Sequence, residues 1–336
     1  MLSRVAENIY WMNRYLERAE NYARFMDVNF NLSLELHPDV SAQWKPLVAA
    51  SGDLALYQRL HPKVEKESVL HFLGFAEENP NSIYNSILKA RENARSIRSE
   101  ITKEVWEEIN RLYYFVREAR ERERWRDNDP RDYFVAIKTG CQLVWGLYEG
   151  TISQSDGWHF SRLGRLLERA DKTSRILDIK YLMLLPKKVS VGSTFDLVQW
   201  SALLKSVSAY DMYKKRYGKL TSMQIIEFLI FNKRFPRSIF SCLLGVDASL
   251  NAISRGGDDD YLNAAQKQLG QLKSYLEYSD VDDIIAGGMH EYLDGLQSDL
   301  NRLSTALFET YFSVATHLND LPGSGAVMTQ RQSQSS

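Results

Sequence analysis

Proline and glycine are scarce in this chain, at 8 and 18 of 336 residues. Stretches that alternate apolar and polar residues are nearly absent too, so strands are not expected. There are two cysteines, Cys141 and Cys242. Each lies in an apolar helical stretch and reads as a buried thiol in a reducing compartment. No run of 18 apolar residues occurs, so no membrane span is expected. The opening "MLSRVAENIYWMNRYLERAE" lacks the long apolar core of a signal peptide, which places the expected location in the cytoplasm. Charge of one sign is missing as well: 42 basic and 43 acidic residues leave −1, with no basic footprint for nucleic acid.

The motifs of several chemistries are also absent. There is no GxxxxGK[ST], no Gly-rich turn after a strand and no GxSxG. The six histidines are scattered and form no HExxH, so neither a metal nor a cofactor is expected. "SDVDDIIAGGMHE", from Ser279, resembles a calcium loop in its acids alone. Ile284 and Ile285 stand where an oxygen ligand and a glycine are needed, which excludes it. "RGGDDDY", residues 255–261, reads as a helix end followed by acids favouring the next helix start. In "REARERERWR", residues 117–126, bases alternate with acids as on a solvated helix end.

What is present is helix. Hydrophobic residues make up 44% and charged residues 25%, as in soluble globular proteins able to bury a sizeable core. Ser3 is expected to cap a first helix running to about His37-Pro38, and Asn79-Pro80 to open another. Further openings are expected at Thr102, Asp129-Pro130, Asp156, Pro236 and, as a capping box, Thr221 to Gln224. The Asp156 helix should end before Pro186, and a last long helix should run from about Met289 to Leu318. The polar tail, residues 322–336, reads as disordered.

A repeat organises this pattern. "RYLERAENYAR", residues 14–24, returns as "RLLERADKTSR", residues 165–175, at an offset of 151. "FLGFAEENPNSIYNSILKARENARSI" from Phe72 matches "FLIFNKRFPRSIFSCLLGVDASLNAI" from Phe228 at an offset of 156, which also aligns Trp44 with Trp200 and Tyr57 with Tyr213. The expected fold is therefore all-α: a compact helical bundle, one domain over residues 1–321, built from two duplicated repeats (about 1–152 and 153–321) with pseudo-twofold symmetry. Two independent bundles on a string are the alternative, disfavoured by the short junction "EGTISQSDGW".

On a helical wheel, Val5, Ile9, Met12, Leu16, Ala19, Ala23 and Met26 form an apolar stripe, widened by Trp11, Tyr15, Tyr22 and Phe25. So broad an arc marks a central helix. Asn13, Arg14, Glu17, Glu20, Asn21 and Arg24 fill the remaining face. Arg18 projects inside the aromatic flank, and Arg169 takes the equivalent place in the second copy. Such a guanidinium needs a carboxylate or a ring face. Adjacent residues on a helix do not face each other, so Glu17 cannot serve Arg18, nor Glu168 Arg169. If the two motif helices pack together, Glu17 would meet Arg169 and Glu168 would meet Arg18. Alternatively each glutamate pairs within its repeat, with Arg14 or Arg165. The network is either structural or a pocket in which Arg14, Arg18, Arg24, Arg165, Arg169 and Arg175 hold a carboxylate or phosphate. In that case Glu17, Glu20, Glu168 and Asp171 would orient them or hold an amine.

These segments, with "ILKARENARSIRSEI", "GLYEGTISQSDGWHFSRLGRLLERADKTSRILD" and "FPRSIF", resemble the bacterial α-E family, helical and named for its Glu-Arg motif. The resemblance spans Met1 to about Leu318, although His159 stands where the family pattern has Arg. It places the motif on Glu17-Arg18 and Glu168-Arg169 without giving it a chemical role. It implies partnership with an ATP-grasp ligase-like protein, and in some cases with a transglutaminase-like protein, in forming or modifying a peptide or amide-linked product. The expected role is a non-catalytic helical partner, with no membrane or nucleic acid involved. The alternatives are an enzyme or carrier for the peptide or carboxylate intermediate, and a structural helical protein without a ligase link.

Overall fold

The computed structural model describes residues 1–35, 40–127, 129–184, 194–254 and 262–313. Fifteen α-helices and no strand occur among them. They are α1 (Ser3–Glu35), α2 (Val40–Ser51), α3 (Leu54–Leu60), α4 (Lys66–Gly74), α5 (Ile83–Ser96), α6 (Lys103–Glu121), α7 (Arg131–Thr151) and α8 (Asp156–Leu184). Then follow α9 (Thr194–Ser206), α10 (Tyr210–Tyr217), α11 (Ser222–Phe231), α12 (Ile239–Ser254), α13 (Ala264–Tyr278), α14 (Val281–Gly287) and α15 (Met289–Leu307).

The two Glu-Arg helices, α1 and α8, are the axis of the bundle. They pack directly on each other, with α5 and α7 against α1 and with α12 and α15 against α8. The halves also cross: α2 packs on α8, and α9 packs on α1. One apolar core runs through both halves, from Ala6 to Phe312. Met12, Leu16, Ala19, Ala23 and Met26 are fully buried along the predicted stripe. Each such large side chain contributes about 1.5–3 kcal/mol by leaving water.

α1 and α8 run parallel. Gly157 lies by Ile9, Gly164 by Tyr10, Glu168 by Arg18 and Lys172 by Tyr22. At Gly164 the backbone of α8 comes directly against that of α1. A methyl group there would fall inside contact distance of the Tyr10 carbonyl oxygen, so only glycine permits the approach.

The helix starts follow hydrogen-bond chemistry more closely than the proline positions suggested. α1 begins one residue earlier than a Ser3 cap implies, because the Leu2 carbonyl already accepts from Val5 and Ala6. Asn79 and Pro80 lie in a turn, not at a helix start. The Asn79 side chain accepts from the Asn81 N–H, and Ser82 caps α5 by accepting from Asn85. Ser238 likewise serves α12 two residues after Pro236. Thr102 caps α6 as expected. Pro130 occupies the cap position of α7 instead of its first turn. At Thr221 only half of the box forms: its hydroxyl accepts from Gln224 N–H, while its own N–H goes to the Tyr213 hydroxyl. The last helix is shorter than predicted. It gives way after Leu307 to a single π-type turn over residues 308–312. The expectations at His37-Pro38, Pro186, residues 255–261 and 322–336 lie outside the described residues.

Candidate functional site

The polar face of α1 is not a solvated face. Asn13, Glu17, Glu20 and Asn21 are buried, because α1 is packed among α8, α5 and α7 and Arg237, just ahead of α12, closes over Glu17, Glu20 and Asn21. Removing such groups from water is unfavourable unless each finds a partner. The network of arginines around them supplies those partners.

Glu168, on α8, receives both motif arginines of α1. Arg18 donates through Nε at 2.7 Å and Nη2 at 3.0 Å, and Arg14 through Nε at 2.9 Å. Lys172 Nζ stands 3.5 Å away. Glu17 receives the reciprocal fork, from Arg169 Nε at 2.8 Å and Nη2 at 2.9 Å. These are the pairs predicted for packed motif helices. The alternative, pairing with the arginine three residues back, is not found: Arg14 crosses to Glu168, and Arg165 donates to Glu149 on α7 at 3.0 Å. Pairing within a repeat does occur one turn on. Arg24 holds Glu20, and Arg175 holds Asp171 with Nε 2.9 Å from both oxygens. All ten residues expected from the sequence thus lie along one interface, although Arg165 stands at its edge.

Several members were not foreseen. Arg237, at the entrance to α12, bridges Glu17 and Glu20, with Nη1 3.2 Å from Glu17 and Nη2 2.9 Å from both Glu20 oxygens. Lys172 sits between Glu168 and Asp171 under the Tyr22 ring. Asn81 accepts from Arg18 Nη1 at 2.6 Å and donates to Asp53. Tyr10 and Ser304 accept from Arg14. The signal for Arg237 was present in "FPRSIF", where the first copy has Asn81 at the equivalent place.

The charges set one another's ionisation. Burial would raise the Glu20 carboxyl, but Arg237 and Arg24 hold it down at about 2. Burial opposes the charge of Glu168 as well, yet Arg18, Lys172 and Arg14 keep it well below the usual range. For Arg237, burial lowers the guanidinium and Arg169 adds to that, against the pull of Glu20. Both thiols are buried, and burial pushes Cys242 up to about 12 and holds Cys141 well above its ordinary range. Such thiols are poor nucleophiles. Among the described residues, no three His, Cys, Asp or Glu side chains converge as a metal site. Nor is any helix among them long and apolar enough to cross a membrane. The arrangement interlocks two helices through charge, with each carboxylate already held by protein cations.

A family model described as a predicted alpha-helical domain with a conserved ER motif, Alpha-E, matches residues 1–312. The chain is also similar to an uncharacterized protein of Mycobacterium bovis and to two of Mycobacterium tuberculosis, each 19% identical over 352 residues. The match covers 95% of this chain and 38% of each relative, so the chain spans about two fifths of their length. No solved structure matches. Glu17-Arg18 and Glu168-Arg169 are adjacent Glu-Arg residues of the kind that description names, and the chain belongs to the Alpha-E family.

Proposed function

We propose that this chain is a non-catalytic, cytoplasmic helical partner of an ATP-grasp-type ligase. In this reading it acts in the formation or modification of a peptide or amide-linked product. The observation that carries the reading is that Glu17, Glu20, Glu168 and Asp171 are each paired with arginine or lysine inside the protein. A motif consumed in this way holds the fold and leaves function to the surface. The ligase link follows from the family resemblance. In the mycobacterial relatives the matching unit is part of a longer chain, which suits a domain that works beside other protein segments.

The same reading includes duplication with pseudo-twofold symmetry, the axis running between the parallel α1 and α8. Contacts that recur in both halves support it. The Tyr57 hydroxyl donates to the Lys63 carbonyl, and the Tyr213 hydroxyl to that of Lys219. Ser82 Oγ donates to the Ala76 carbonyl, and Ser238 Oγ to that of Asn232. Gly52 and Ser208, both with positive φ, face Arg175 and Arg24 respectively.

The test is association and activity. The purified chain is mixed with an ATP-grasp protein encoded beside it, and complex formation and ATP-dependent amide synthesis are followed. A stable complex, with synthesis faster than by the ligase alone, is the expected result. Absence of a complex, or amide chemistry by this chain alone, overturns the proposal.

A further inference from the structure

One face of the bundle carries positive charge that the protein neutralises only in part. It adjoins the interlocked pairs, on the first half of α8, where Trp145 and Glu149 of α7 and Gly245 of α12 approach it. Arg162, Arg165 and Arg169 follow one another at spacings of three and four and so share a helix face. Arg169 is committed to Glu17. Arg165 has one partner, the half-exposed Glu149. Arg162 has no ion pair among the described residues and rests on the Trp158 ring, 4.8 Å from its centre.

Unmet hydrogen-bond donors gather at the same place. Arg162 Nε, Arg165 Nε and the indole N–H of Trp145 are buried without a protein acceptor, and His159 Nδ1 is likewise unpaired. Buried donors of this kind are rarely left unmatched, and the three on Arg162, Arg165 and Trp145 mark a place built for acceptor oxygens. The geometry suits carboxylates. The Trp145 ring lies 5.7 Å from the Arg165 guanidinium and 5.5 Å from that of Arg169, which restrains both forks. Gly245 of α12 lies against Arg162, and a methyl group there would come within 3.5 Å of Nη2. Electrostatics agree with the geometry. Burial lowers the Arg165 guanidinium and Arg169 pushes the same way, while burial and then Arg162 lower the His159 imidazole. An incoming anion relieves both.

We infer that the Arg162–Arg165–Arg169 face, with Trp145 and Trp158, is a binding site for an acidic peptide segment that presents successive carboxylates to the guanidinium row. The row extends about 10 Å along α8 at 1.5 Å per residue. An extended peptide covers that distance in about three residues. The site takes glutamate or aspartate side chains, or a peptide C-terminus, in bidentate contact with Arg162 and Arg165. The inference does not depend on the ligase proposal and is tested with this chain alone.

A fluorescently labelled tetraglutamate peptide is titrated with the full-length chain at low ionic strength, and anisotropy is read. Tetralysine and inorganic tripolyphosphate serve as comparison probes, the latter as a competitor. Saturable binding of tetraglutamate is expected, weakened at least about tenfold by Arg162→Gln, the loss of a charge-assisted hydrogen bond. The thermal midpoint should be unchanged, since Arg162 has no ion pair to lose. Arg162→Lys should restore part of the affinity, and salt should weaken it. Absence of binding, or equal binding by Arg162→Gln, overturns the site. Displacement by tripolyphosphate at far lower concentration than by unlabelled tetraglutamate overturns the peptide assignment in favour of a phosphate site. If Arg162→Gln unfolds, the residue is structural, and Trp158→Phe, which keeps the charges, then decides: unchanged peptide affinity in that variant ends the proposal.

Discussion

Arg18 forms a two-point hydrogen bond with Glu168, Nε to Oε1 at 2.7 Å and Nη2 to Oε2 at 3.0 Å, across the interface of two parallel helices. Glu168 has no solvent exposure, and Arg14 and Lys172 share it. Glu168→Gln would leave three cations facing a neutral amide in a dry interface. Breaking a buried pair from one side costs about 3–5 kcal/mol. A lowered midpoint in urea with an unchanged slope is the expected outcome. Arg18→Gln on top of Glu168→Gln should cost less than the two separate losses added together. Full additivity would show that the fork contributes no coupling.

Acid should weaken the fold through the same network. Glu20 titrates near 4.5 when unfolded and near 2 when folded. Its contribution is complete above about pH 5 and is lost as pH falls towards 2, because the unfolded chain takes up the proton first. Glu168 and Asp171 are shifted downward too and act in the same direction. Urea midpoints measured at pH 6, 5, 4 and 3 should fall with each step below 5. A flat profile would contradict the paired state of these carboxylates.

Gly164→Ala should be destabilising by about 1–3 kcal/mol, the usual penalty of overpacking, because the Tyr10 backbone cannot yield as a side chain would. Gly146→Ala is the matched control. It lies in α7 with open space around it, and there alanine should stabilise by up to about 1 kcal/mol through helix propensity. Thermal unfolding of the two variants should therefore move in opposite directions.

Cys141 and Cys242 should be silent towards a thiol reagent at pH 8 in the folded protein and react fully after denaturation. Burial removes access, and it also raises both thiols further above that pH. Rapid labelling of the native chain would show that this region opens readily.

Two features were legible in the residues alone. The all-helical class followed from 3.6-residue periodicity and from sparse turn residues, which act locally. The crossed pairs were legible because Arg18 sits in an aromatic flank beside a glutamate that cannot reach it, and a second copy offers the missing partner. Helix starts were less legible. Asn79-Pro80 and Pro236 look like openings, but the caps are Ser82 and Ser238, because the hydroxyl that meets the free N–H groups decides the start. Arg237 stands in the repeated "FPRSIF" segment, but nothing local shows that a residue some 220 positions from Glu17 will share its carboxylate. The burial of Asn13, Glu20 and Asn21 was likewise decided by the tertiary structure. A wheel records only that a face is polar; whether it meets water or another charged helix depends on what packs there, and that is a property of the whole chain.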